Sequence, residues 1–233
     1  MRVLAVGAHP DDLEILCAGT LAKYALRGDY VAMAVSTNGE VGSSTLSKCE
    51  IAEVRRKEAK ASADVIGAEL LWMGYPDEFL FSNEETRLAF LNLVRQVSPD
   101  VILTHGPSDY HPDHRTTGQI IWDIRVMTTV PNIKTDAPPC RKIPEIYYYD
   151  TVAGIEFSPQ YYVDISDTFE LKKKMLACHK SQAPWLEMQY GLSYLEFIEY
   201  SGRYRGLQCG VRFAECFQVS TTWPKRLESV LLP

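Results

Sequence analysis

The sequence lacks an apolar run long enough to cross a bilayer. Its longest early run is about six residues, where a membrane helix needs about 20 and a secretory leader at least about seven. The chain is therefore expected in the cytoplasm. It also lacks an excess of positive charge: 24 Lys and Arg stand against 30 Asp and Glu, a formal net charge of −6. That balance argues against nucleic acid or an anionic membrane as a partner. Six cysteines, at 17, 49, 140, 178, 209 and 216, form no CxxC pair. Scattered thiols of this kind are expected to be buried and inert. There is no internal repeat, low-complexity tract or clear linker, so residues 1–233 are expected to form a single domain.

What is present is a regular alternation. "RVLAVGA", "YVAMAVST", "AELLWMG" and "PDVILTHG" read as strands. "DDLEILCAGTLAKYALRG", "EIAEVRRKEAKASADVIG", "NEETRLAFLNLVRQV" and "DHRTTGQIIWDIRVM" read as the helices that follow them, with Asn83 as an N-cap. Strand then helix, four times over, predicts an α/β fold: a Rossmann-like three-layer sandwich with a mostly parallel sheet. Residues 128–144, rich in Pro and Thr, read as a loop. Beyond them, "EIYYYD", "QYYVDIS" and "VRFAECFQV" read as strands, and "DTFELKKKMLACHKSQ" and "LSYLEFIEYSGRYRGLQ" as helices.

Two clusters of chemistry fall on this frame. "AHPDDLEI" (8–15) leaves the first strand, and "HGPSDYHPDH" (105–114) leaves the fourth. They hold four of the five histidines, and both face the carboxyl edge of the sheet, where such folds bind ligands. Adjacent Asp11 and Asp12 would repel each other unless a cation sits between them. Two histidines and one carboxylate match the three protein ligands of a catalytic zinc site, which leaves one position for water. A hydrolytic site also needs a base that is not a ligand, and the Asp11–Asp12 pair can supply both roles. In "HPDH", one of His111 and His114 can bind metal while the other faces a substrate carbonyl. Asp113 can hold an imidazole in one tautomer. The plainer alternatives are that Asp11 caps a helix and that each histidine is structural. Spacing alone does not separate zinc from iron or manganese.

These motifs resemble the LmbE-like, or PIG-L, de-N-acetylase family. The likeness continues through "TNGEVGSS", "RRKEAKASADVIGAELLWMGYPD" and "KMLACHKSQ" to "GVRFAECF", nearly the whole chain. Its late section is most similar to the bacillithiol-pathway branch, which deacetylates N-acetylglucosaminyl-malate. The resemblance implies zinc, or another divalent metal such as Fe²⁺, on His9, Asp12 and His114. It implies Asp11 as general base, protonated His111 as the group that stabilises the oxyanion, and Asp113 as the carboxylate that tunes His111. Arg55 and Asp77 match contacts to sugar hydroxyls; on residue type alone they read as a solvated helix face and a turn. The implied partner is a small amino-sugar substrate, with a homo-oligomer left open. Tyr110 stands where the bacillithiol branch often has a basic residue, Arg141 and Lys142 are both candidates for a later basic site, and His179 reads as packed. Two other classes compete: a metallohydrolase of another bond, such as a phosphoester, and a non-catalytic nucleotide-binding module. The second is disfavoured because "GAHPDD" lacks G-x-G-x-x-G and carries carboxylates where a pyrophosphate would lie.

Overall fold

A computed structural model of the chain describes residues 1–223 and 232–233. Seven strands form one sheet: β1 (Arg2–Gly7), β2 (Tyr30–Thr37), β3 (Glu69–Tyr75), β4 (Val101–Thr104), β5 (Glu145–Tyr149), β6 (Tyr161–Asp164) and β7 (Ala214–Val219). Their order is β3-β2-β1-β4-β5-β7-β6. The first five run parallel, and β7 is antiparallel to both β5 and β6. The expected α/β fold with a mostly parallel sheet is the one observed.

Alternate residues of β1 feed opposite faces, as pleating requires. Val3 and Ala5 pack with α1 (Asp12–Leu16), α2 (Ala18–Leu26), α6 (Phe169–Leu176) and α8 (Tyr194–Cys209). Leu4 and Val6 pack with α4 (Glu84–Val97) and α5 (Pro112–Ile124). Between these lie α3 (Lys48–Val65) and α7 (Ala183–Tyr190), the latter not expected from the sequence. Asn83 does cap α4, in a reciprocal box with Thr86.

One departure follows the first motif. The first helix, read as continuous to Gly28, is broken at Cys17. The break has a cause outside the helix. The Glu215 carboxylate on β7 accepts from the amides of Gly19 and Thr20, so α2 starts anew on a remote cap. Lys172 pairs with the same buried carboxylate. A Cβ on Gly19 would meet Ile165 at 2.8 Å, so the close approach requires glycine. The 128–144 segment is a loop past Thr129, as expected, and is tightly held: the Arg95 guanidinium donates to the carbonyls of Met127, Thr128, Val130 and Ile133. The six cysteines are free; Cys17, Cys140 and Cys216 are buried as expected, whereas Cys49 and Cys209 are exposed and Cys178 is half-buried.

Candidate metal centre and active site

Both clusters stand at the carboxyl end of the sheet. α5 is drawn against β4 by Gly118, where a Cβ would lie 2.2 Å from the His105 carbonyl oxygen. Its N-cap is His111, whose Nδ1 accepts from the Asp113 amide. That cap and Pro112 at the first helical position set the "HPDH" turn.

Across this edge the side chains converge. His9 Nδ1 lies 3.2 Å from His114 Nε2 and 3.5 Å from Asp12 Oδ2, and His114 Nε2 lies 3.3 Å from Asp12 Oδ1. An ion bound tetrahedrally at about 2.0–2.1 Å holds its ligand atoms about 3.3 Å apart. The three side chains converge at a comparable spacing, with Asp12 facing His9 through Oδ2 and His114 through Oδ1. Three overlapping groups could hold a metal among the described residues: His9 with His111 and His114; Asp12 with His105 and His114; and His9 with Asp77 and Asp113. The far nitrogen of each histidine of the trio also meets a buried carboxylate. His114 Nδ1 is 3.0 Å from Asp109 Oδ1, and His9 Nε2 is 3.1 Å from Asp77 Oδ1. Partners of this kind fix tautomer and ring orientation at metal sites.

The electrostatics match this geometry. Burial opposes charge on His9, but Asp113, Asp12 and Asp77 hold its pKa well above the usual value. His114 is pushed up to about 9: Asp12 and Asp109 outweigh its burial. Asp12 is also desolvated, yet the His114 and His105 imidazoles hold it well below the carboxylate range. The same three side chains thus favour positive charge between them.

Asp11 behaves differently. It occupies the N-cap position of α1, but its side chain makes no capping bond, so the helix-cap alternative fails. Its backbone is left-handed, φ 114°, a conformation non-glycine residues adopt at a cost of roughly 1–3 kcal/mol. Its Oδ2 accepts from the Tyr194 hydroxyl and from Arg55, 3.3 Å away. Burial pushes its pKa up, with Arg55 and His179 opposing.

The remaining expected residues are placed less simply. Asp113 does not bring its carboxylate to His111. That carboxylate accepts from the amides of Glu78 (2.8 Å) and Leu80 (3.3 Å) and lies 3.4 Å from His9 Nε2. The reason is the helix cap: His111 Nδ1 is taken by the Asp113 amide, so the side chain continues toward the 78–80 loop. His111 Nε2 instead meets Glu78 Oε1 at 3.1 Å. Burial and the neighbouring His9 and His114 charges lower the His111 pKa. With Nδ1 accepting from the Asp113 amide, the Nε2 proton points to Glu78.

Arg55 lies inside α3 rather than at a helix start, and it is buried, not solvated. Its guanidinium donates to Pro10 O (2.7 Å), Gly39 O (3.3 Å) and Asp11. Asp77 is buried on His9, with a pKa held down, against its burial, by that imidazole. His179 is packed, as expected, against Glu14 at 3.2 Å. Lys142 pairs with Asp100, and Arg141 is exposed.

Sequence reasoning gave no role to His105, Asp109, Glu78 or Tyr194. His105 is fully buried, 3.1 Å from Asp12 Oδ2, and stacked on His114 at 3.9 Å. Asp109 and His105 lie within the quoted second cluster, so the acidic residue ahead of "HPDH" was the available signal. Nothing local marks Tyr194.

The α/β sheet thus gathers candidate metal-binding histidines and carboxylates at its strand ends, with a further carboxylate beside them. The PIG-L family profile (GlcNAc-PI de-N-acetylase) matches residues 4–125, and the chain belongs to that family. It is 29% identical over 232 residues to diacetylchitobiose deacetylase of Thermococcus kodakarensis, spanning 92% of this chain and 81% of that one. Its structure is similar to that of N,N′-diacetylchitobiose deacetylase from Pyrococcus horikoshii (TM-score 0.83, 30% identity, 94% of this chain, 83% of the other). It is also 24% identical over 192 residues to 4-oxalmesaconate hydratase of Pseudomonas putida, spanning 77% of this chain and 73% of that one.

Proposed function

We propose that the chain hydrolyses the N-acetyl group of an N-acetylglucosamine-containing small molecule, releasing acetate and a free amine, with one divalent cation, zinc in the first instance, held by His9, Asp12 and His114. The observation that carries this is the convergence of the His9, Asp12 and His114 side chains, whose nearest polar atoms lie 3.2–3.5 Å apart pair by pair, with the separately held Asp11 carboxylate beside them. A cation there would acidify water and polarise the acetyl carbonyl. Asp11 takes a proton from the attacking water as its oxygen bonds the acetyl carbon, and returns a proton to the nitrogen as the C–N bond breaks. His111 donates from Nε2 to the developing oxyanion, which requires Glu78 to yield that proton. Arg55 and Asp77 meet the sugar from the floor of the site, and each also bonds a neighbour in the cluster. N-acetylglucosaminyl-malate is the finer reading of the substrate. We also infer that residues 1–233 act as one domain, in the cytoplasm; no helix among the described residues is long and apolar enough to cross a membrane.

Acetate release from a panel of N-acetylglucosaminides with different aglycones tests the reaction. Release from at least one, with free amine in equal amount, is expected. No acetate from any, with hydration of 4-oxalmesaconate instead, would favour the chemistry named for the Pseudomonas relative.

Two predictions follow from the surroundings of the trio. Asp109→Asn removes the charge behind His114 and is expected to weaken zinc binding about 10- to 100-fold. Metal titration of the variant checks this, and an unchanged affinity would make Asp109 purely structural. The second concerns pH. His9 and His114 hold protons that zinc must displace, with His114 up to about 9. Zinc affinity of the chelator-stripped protein is therefore expected to rise with pH by about tenfold per unit for each proton released, until about pH 9. In that stripped protein the raised pKa stabilises the fold below about pH 6.5, and this contribution is lost as pH climbs toward 9. Calorimetry in buffers of different ionisation enthalpy should detect the released protons; uptake with none would contradict the assignment.

A further inference from the structure

The carboxylate of Asp11 is not oriented by its own neighbourhood. Its helix-cap bond is absent and its backbone is left-handed. Two remote donors hold it, and both bind the same oxygen, Oδ2. One is Arg55 from α3; the other is the hydroxyl of Tyr194, 183 residues away in sequence. Oδ1 has no hydrogen-bond partner among the described residues, and the side chain keeps 10% of its exposure. Tyr194 is firmly placed. It is the first residue of α8, whose start is fixed by a reciprocal box between Ser193 and Glu196. Its ring is 6% exposed, in the apolar core that also holds Leu13 and Ile198. It also lies outside residues 4–125, the part matched by the family profile.

We propose that Tyr194 is a positioning residue for Asp11, so that α8, from the C-terminal part of the chain, completes the site built by the first half. By occupying Oδ2 together with Arg55, its hydroxyl turns the carboxylate so that Oδ1 alone is presented to the attacking water. Such orientation acts on the rate of the chemical step rather than on substrate affinity. The inference rests on the reading of Asp11 as general base.

Tyr194→Phe removes one hydroxyl and preserves the ring. With the best N-acetylglucosaminide of the panel and zinc-loaded protein, kcat is expected to fall about 10- to 100-fold, the range for losing one hydrogen bond to a charged group. KM and zinc content should not change. Because Tyr194 acts through Asp11, the double variant Asp11→Asn/Tyr194→Phe should be no slower than Asp11→Asn alone. An unchanged kcat in Tyr194→Phe, whatever happens to thermal stability, overturns the proposal. So does a double variant in which the two losses multiply. Near-normal turnover in Asp11→Asn is a different failure, since it removes the base reading itself.

Discussion

His114→Ala is expected to lose bound metal and turnover together. In the proposed site His114 is one of three ligands, and its loss also strands Asp109, whose carboxylate is held in its charged form, against its burial, by the His105 and His114 imidazoles. Removing an outer partner of a ligand costs about 10- to 100-fold in metal affinity. Removing the ligand is expected to cost at least about 100-fold on the same scale, with activity falling in step. Elemental analysis of the purified variant beside its kcat decides the matter. Full occupancy with near-normal turnover would show that His114 is not a ligand, and the overlapping group of His9, Asp77 and Asp113 would become the next candidate.

Asp11→Asn should separate from that variant cleanly. It keeps the shape of the side chain and removes only its basicity. Metal content should stay at the wild-type level while kcat falls about 10²- to 10⁴-fold, the usual contribution of a general base. Loss of metal instead would exchange the roles of Asp11 and Asp12. The structure separates the two aspartates by their partners: Asp12 faces His9, His105 and His114, whereas Asp11 faces Arg55 and Tyr194.

Much of this was legible in the sequence. The four strand–helix repeats carry their own periodicity, and "AHPDD" and "HPDH" sit where those repeats place ligand sites, so the two clusters could be brought together on paper before any coordinates, while the choice of His9, Asp12 and His114 within them came from the family resemblance. What could not be read depends on packing between distant segments. The break at Cys17 is made by Glu215, almost two hundred residues further on. Arg55 carries no local sign that its helix turns it inward onto Pro10 and Asp11. The family resemblance implied a side-chain pair between Asp113 and His111; the cap geometry of α5 spends the contact on the Asp113 amide instead. The polar partners of the trio were visible as residue types, but which carboxylate serves which imidazole is decided by backbone direction at the strand ends.

The account is tested most directly by zinc titration into chelator-stripped protein, with acetate release from the best N-acetylglucosaminide as the readout. It predicts no release before zinc is added, a linear rise, and saturation at one metal per chain. Saturation at two would point to the two-metal chemistry of phosphoester hydrolysis, and acetate release that persists in the stripped protein would contradict a metal-dependent deacetylase at this site.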